Sequence, residues 1–416
     1  MKTILFLSPT GTFDNGAEIS IFNLMKELSR RGNQIINVFP KSNHQNQQLY
    51  IKRCRKNNIF PQQLDCVKWW WEEAPGALIG TSEERSASYR SNIGEIRALI
   101  KEKQVDLVIT NTVNIFQGAV AAALETIPHY WLIHEFPENE FAYYLKKIDF
   151  IDAFSAEIYS VTGELNQTLT GLFPNRKIKA FAPYSEIYDS ELKEGKQTRI
   201  VSVGRISKRK NQLELIKAYE QLNRPEIELV FIGAWDSDYK EICQTYIKEH
   251  KLKNITFTGN LASPWDEVTA KDIAVFPSAM ETFGLVYVEA LLKGVPVILS
   301  DNPGHRSAYE FFQFGEMYKT NDISALTKKI QFFLTNFENQ KESAIAHRPI
   351  AEKRYRLEIL SADLLNDIDA SITVPNNNII YLADLLSTNE SKSFLTRSET
   401  KLRRFINRVR YRLTKR

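Results

Sequence analysis

Cysteine is scarce in this 416-residue chain. Cys54, Cys66 and Cys243 are too few for a disulfide framework, and no C-x2-C pair suggests a metal site, so a reducing compartment is the natural setting. No run of 18 apolar residues occurs, which excludes a membrane-spanning helix. Low-complexity tracts are missing, and 43% apolar with 11% aromatic residues exclude disorder of the chain as a whole. Met1-Lys2-Thr3 followed by Ile4-Leu5-Phe6-Leu7 opens like a signal peptide. Ser8-Pro9-Thr10-Gly11 cuts that apolar run short, however, and no small-residue cleavage site follows. A strong overall charge is lacking too, but the balance is uneven. Residues 401–416 hold eight Lys and Arg and no acid; without them 46 basic residues face 50 acidic ones, a net charge of −4. The body is mildly acidic and the basicity is a tail.

What the chain does have is alternation. Short apolar runs alternate with helical periodicity, the pattern of an α/β chain with parallel sheets. Ile4–Leu7 reads as a buried strand; a loop with Gly11 and Gly16 follows, then Ile21, Leu24, Met25 and Leu28, the spacing of one helix face. Gly32 sits where a helix C-cap glycine belongs, and Ile35–Phe39 is the second strand. Further strands are predicted at Val105–Ile109, at Tyr130–Ile133 and near Ala153–Ala156. The polar stretch Ser185–Thr198, with four acids, reads as a linker. The alternation then restarts: strand Ile200–Val203, helix Asn211–Leu222, strand Ile227–Ile232, helix Tyr239–His250, and strands Ile255–Thr258, Ile273–Phe276 and Val295–Leu299.

This predicts two Rossmann-like, doubly wound parallel-sheet domains, residues 1–185 and 199–350, joined by a linker over 186–198. A ligand would lie in the cleft outside the carboxyl ends of the strands. Ala351–Ile368 reads as a helix, and the segment 351–370 is expected to cross back to the first domain. Pro375-Asn376-Asn377-Asn378 marks a hinge before a helical tail, 371–416.

The densest motif is Pro277-Ser278-Ala279-Met280-Glu281-Thr282-Phe283-Gly284-Leu285-Val286-Tyr287-Val288-Glu289-Ala290, which follows a strand and opens a helix. Gly284 would let the backbone approach a ligand closely, and the first free N–H groups of the helix would make a phosphate site. Glu281 on the loop and Glu289 one to two turns in would face the same cleft, and two carboxylates beside a phosphate site suit a hydroxyl-rich ligand. Two solvated glutamates would give the same pattern. A second cluster shifts the balance: Ser202-Val203-Gly204-Arg205-Ile206-Ser207-Lys208-Arg209-Lys210-Asn211 ends the first strand of the second domain. Arg205 and Lys210 bracket its strand-to-helix turn, one suited to two-pronged phosphate contact and the other a point charge. Alone, that turn would pass for a basic, solvated one.

Taken together, the G-R-x4-K turn, the Glu-x7-Glu segment and Gly294-Val295-Pro296-Val297-Ile298 with Ser300 and Gly304 resemble the retaining glycosyltransferases of family 4, which have the GT-B fold. The similarity covers essentially residues 1–370. Asp14-Asn15-Gly16-Ala17-Glu18 resembles the family's G-G-A-E loop, with Asn15 in place of the first glycine, so that the loop's backbone freedom would rest on Gly16. The resemblance implies that Arg205 and Lys210 hold a donor diphosphate, that Glu281 binds the donor sugar, and that Gly16 and the amides of Phe283, Gly284 and Leu285 also contact the donor. It implies that Glu289 binds the nucleotide ribose and that His134, after the strand Tyr130–Ile133, is the active-site histidine. The donor would be a nucleoside-diphosphate sugar, UDP- or GDP-linked, and the acceptor a glycan or lipid-linked intermediate of bacterial cell-surface polysaccharide synthesis. No cofactor is expected, and no metal, because no D-x-D motif lies at a strand end. A same-fold epimerase or phosphorylase, or a non-catalytic partner of another transferase, are the alternatives.

The remaining features divide. His44, His129, His250, His305 and His347 lack metal spacing and read as surface or loop residues. Trp69-Trp70-Trp71 reads as a core or interface cluster, with stacking on a sugar or lipid acceptor as the alternative. In the tail, Leu402, Phe405, Ile406, Val409 and Leu413 make one helical stripe among eight cations, the composition of an interfacial helix on an anionic membrane. That would place the protein in the cytoplasm at the inner face of the cell membrane, with no nucleic-acid partner.

Overall fold

A computed structural model describes residues 1–42, 45–187, 191–261 and 263–370. The hinge at 375–378, the tail with its stripe at 401–416, and His44 lie outside the described residues. The first domain runs β1 (Thr3–Leu7), α1 (Gly16–Arg30), β2 (Gln34–Pro40), α2 (Gln45–Lys56), β3 (Ile59–Leu64), α3 (Ser82–Lys103), β4 (Leu107–Asn111), α4 (Gln117–Leu124), β5 (His129–Ile133), α5 (Ile148–Ala153), β6 (Glu157–Val161), α6 (Glu164–Leu172) and β7 (Lys179–Phe181). The second runs β8 (Arg199–Val203), α7 (Gln212–Leu222), β9 (Glu228–Ile232), α8 (Ser237–Glu249), β10 (Ile255–Gly259), β11 (Asp272–Phe276), α9 (Leu285–Leu292), β12 (Val297–Ser300), α10 (Pro303–Phe312), β13 (Glu316–Tyr318), α11 (Ile323–Thr335) and α12 (Phe337–Arg354). Two short helices, α13 (Leu357–Leu360) and α14 (Ala362–Asp369), end the described chain.

Both sheets are parallel throughout, with orders β3-β2-β1-β4-β5-β6-β7 and β10-β9-β8-β11-β12-β13. Each order reverses direction beside its first strand, and there the carboxyl ends of the strands open a crevice. The Ile4–Leu7 run is thus a fully buried strand near the middle of its sheet. No described helix is long and apolar enough to cross a membrane.

Three details differ from the sequence reading. The strand placed near Ala153–Ala156 begins at Glu157, because Ile148–Ala153 continues as a helix and buries Ile151. Strand β3 and the 22-residue helix α3 had gone unread, although Thr81 and Glu84 form a capping box that starts α3. Ala351–Ile368 is not one helix. The chain breaks at Tyr355, whose hydroxyl donates to Pro183 O (3.1 Å) and accepts from Ser185 N (2.8 Å). After the break, α13 and α14 lie on the first domain: Ala182 N donates to Leu360 O, and Lys179 pairs with Asp367 at 2.6 Å.

Candidate active site

Lys210 and Glu281 form the centre of the site. Lys210 Nζ lies 2.5 Å from Glu281 Oε1, with Arg209 3.7 Å from the other oxygen and Ser278 Oγ donating at 2.7 Å. The Glu281 side chain is only 7% exposed. Burial alone would push its pKa up; Lys210 and then Arg209 outweigh it and hold the carboxyl at about 2. Just beyond, Gly284 caps α9 with φ 86° and ψ 63°, a left-handed conformation that favours glycine. The amides of Leu285 and Val286 open α9 ahead of its first internal hydrogen bond, in which Tyr287 N donates to Gly284 O at 3.0 Å.

The other candidates take separate partners. Arg205 is not part of the Lys210 cluster; its guanidinium pairs with Asp236, just after β9, at 2.7 Å, and both side chains are about half exposed. Glu289, in the second turn of α9, accepts at 2.8 Å from the indole N–H of Trp265. Phe283 is buried in the core, and Leu285 reaches across the cleft, where a Cβ on Gly16 would stand 3.0 Å from its Cδ1.

His134 follows β5 and is buried. Asn111 Nδ2 donates to Ala17 O, which turns its Oδ1 toward His134 Nε2 at 2.8 Å. The proton therefore sits on Nε2 and leaves Nδ1 bare. Burial holds the imidazole's pKa down at about 3, so the ring is neutral at pH values where proteins work. The His134 carbonyl accepts at 2.8 Å from Thr282 Oγ1 of the second domain, the residue after Glu281. A bidentate Arg306–Glu164 pair (2.6 and 2.8 Å) also joins the domains.

Several readings need correction. His129 and His305 are not surface residues: both are fully buried, His129 against Thr110 and Phe154 O, and His305 with Nδ1 2.9 Å from Ser300 O beneath Gly284. His250 is exposed and pairs with Glu220, and His347 stacks on Phe314. The tryptophans follow the core reading. Their indole N–H groups donate to Ser8 O, Pro9 O and Val113 O, tying down the ends of β1 and β4. Phe116 stacks on Trp71 at 4.1 Å and Lys147 lies 4.8 Å over its ring, so its faces are taken. Asn15 has φ −143° and caps α1 by accepting from Glu18 N; that conformation needs no glycine, and Gly16 does not adopt positive φ. Among the described residues, no three His, Cys, Asp or Glu side chains gather as metal ligands would.

Sequence reasoning missed Asn111, Asp236 and Trp265, and it named Glu18 within its loop without giving it a role. The first three are partners brought in by the sheets. Glu18 shapes the loop ahead of α1: its Oε1 accepts from Thr10 N (2.6 Å), Thr10 Oγ1 (2.7 Å) and Gly11 N (2.9 Å). Burial pushes this carboxyl up to about 7, more than those bonds pull it down. An acid with a raised folded pKa stabilises most below its unfolded value, and that contribution is lost as pH rises through about 7. Glu18→Gln removes the titration, so its thermal midpoint should gain on the parent's between about pH 5 and about pH 8. A difference that stays flat across that range would refute a buried, titrating Glu18.

Residues 184–348 match the family described as Glycosyl transferases group 1. Among curated proteins, the sulfoquinovosyl transferase SQD2 of Arabidopsis thaliana is 31% identical over 37% of this chain and 30% of its own length. The capsular polysaccharide biosynthesis glycosyltransferase CapH of Staphylococcus aureus is 28% identical over 39% of this chain and 48% of its own. The matched part thus spans less than half of either relative. Among solved structures, HepE of Anabaena in complex with UDP and glucose superposes with a TM-score of 0.71 over 89% of this chain and all of that one, at 18% identity. The fold is GT-B, and residues 184–348, which span its second domain, are similar to the group 1 glycosyltransferases.

Proposed function

We propose that this protein is a retaining glycosyltransferase that moves a sugar from a nucleoside-diphosphate donor to a glycan or lipid-linked acceptor in bacterial polysaccharide or glycolipid synthesis. The observation that carries the reading is the buried Lys210–Glu281 pair, with Glu281 on the loop that opens α9. A diphosphate leaving group develops negative charge as the sugar departs, and a fixed ammonium with helix-end donors is arranged to receive it. Arg205, half exposed beside Asp236, would move to the same phosphates. Glu281 would then turn its acceptor oxygens to the hydroxyls of the transferring sugar, and Glu289 to the ribose. His134, neutral with Nδ1 bare, would accept a hydrogen bond from sugar or acceptor rather than donate a proton. Attack from the face that the leaving group vacates, assisted by the departing phosphate, would retain the anomeric configuration. Lys210, Arg205 and the helix amides supply the positive charge, so the reading needs no divalent ion.

UDP is the first donor nucleotide to try, since HepE was crystallised with UDP and glucose. A thermal-shift screen across UDP-, GDP-, ADP- and dTDP-sugars should single out one nucleotide, since a ligand that binds only the native state raises the midpoint with its concentration. Transfer of the labelled sugar to a lipid-linked acceptor should then persist in excess EDTA. No shift with any nucleotide sugar, or hydrolysis without transfer, would overturn the reading.

The basic tail is proposed to hold the protein to an anionic membrane surface. Each Lys or Arg there contributes on the order of 1 kcal/mol, screened by salt. Deletion of residues 401–416 should abolish co-sedimentation with anionic vesicles at low salt. Equal binding of both forms would remove this role.

A further inference from the structure

Glu289 is held by a residue from a loop of its own domain that no motif includes. Its Oε2 accepts at 2.8 Å from Trp265 Nε1. Trp265 sits on the single helical turn Pro264–Asp266 that follows β10, and its half-buried ring packs against the main core. Glu289 itself is half-buried, on the second turn of α9. The carboxyl is therefore pinned through one oxygen by a donor from a different loop, while Oε1 is left to accept from something else. A glutamate has three side-chain torsions to fix before it can grip a ligand, and each left free weakens binding. An indole N–H is a donor only, so it competes with no hydroxyl for the remaining lone pairs.

We propose that Trp265 is a positioning residue for the nucleotide: its N–H presets Glu289 so that Oε1 meets the vicinal hydroxyls of a ribose. The proposal rests on the donor reading of Glu289 given above. It assigns Trp265 to hydroxyl recognition through the carboxyl, with no role in the chemical step. Loss of the N–H should therefore weaken donor binding and leave turnover at saturation nearly unchanged. Because the ring also packs on the core, Trp265→Phe, which keeps an aromatic ring, is the informative change.

The experiment is calorimetric binding of UDP, 2′-deoxy-UDP and 3′-deoxy-UDP to the full chain and to three variants, alongside donor KM and kcat. The parent should prefer UDP over one or both deoxy nucleotides. Glu289→Gln should lose most of that preference. Trp265→Phe should weaken UDP by about tenfold, as for a lost hydrogen bond to a charged group, and shrink the preference, with kcat little changed. Trp265→His, which keeps a ring N–H, should retain more of the preference than Trp265→Phe; the reverse order would overturn the proposal. If Glu289→Gln loses the preference while Trp265→Phe keeps it in full, Trp265 has no such role and the ribose assignment stands. If Glu289→Gln discriminates as well as the parent, the ribose assignment itself falls, and Trp265's with it.

Discussion

Lys210→Ala should fold and yet lose turnover by about 10²- to 10³-fold, the effect of removing one fixed donor aimed at developing negative charge. The side chain is 15% exposed and its ammonium meets Glu281 at 2.5 Å, so water can replace neither partner fully. Arg205→Ala should cost less, because its guanidinium is half exposed and already shared with Asp236. Lys210→Ala also removes the charge that does most to keep Glu281 ionised. A carboxyl with a depressed folded pKa stabilises above its unfolded value, near 4.5, and loses that contribution as pH falls through about 2. Lys210→Ala should therefore be less stable than the parent at neutral pH, and the gap should close as the solution is acidified. Initial rates with saturating donor, and thermal midpoints between about pH 3 and about pH 7, check both statements. Near-normal turnover would remove Lys210 from the proposed chemistry.

Gly284→Ala should be at least as damaging, by a steric route. A left-handed conformation costs an L-residue roughly 1–2 kcal/mol, and the added Cβ would stand 2.8 Å from Cδ2 of His305. His305 is fully buried, with Nδ1 2.9 Å from Ser300 O and its own amide donating to Asn302 Oδ1, so the ring has no easy retreat. The loop must give way, and it carries Glu281 on one side and the first amides of α9 on the other. A loss of turnover above about 100-fold is expected, with about 2–4 kcal/mol of stability. Adding His305→Ala should return part of the stability by removing the clash, while the conformational cost stays. A single variant with unchanged midpoint and rate would show that the loop tolerates what the packing forbids.

The sheets were legible wherever a strand is an unbroken apolar run, as at Ile4–Leu7 or Ile273–Phe276, because a strand buried on both faces leaves nothing else to read. Strand β3 was hidden: it lies at the sheet edge and carries Pro61, Gln62 and Gln63, half exposed and without an apolar pattern. In α3 the buried apolar residues, Ile93, Ile96 and Ile100, fall only in the second half, so the first half gave no period. Motif spacing pointed to Glu281, Glu289, Arg205 and Lys210, but not to the partner each would take. Asp236 meets Arg205 because β8 and β9 are parallel neighbours whose ends are level, with Ile206 bridged to Trp235. A reader aware of that pairing could have matched the loop after one strand with the loop after the next. The same argument covers Asn111 and His134, since β4 and β5 are parallel neighbours with Asn111 level with Leu132. For Trp265, which reaches Glu289 from the loop after β10, the sequence holds no comparable signal.

The phenol of Tyr355 has a mechanical consequence. The polypeptide passes between the two domains near Pro183 and again near Tyr355, and this one hydroxyl fastens the two passages together. Farther out, Thr282 meets His134 and Arg306 meets Glu164, so the two domains are tied both at the crossing and across the cleft. A turn about the crossing would spare the tyrosine and break the outer ties. Opening the cleft therefore costs those outer bonds, while the hinge keeps its own.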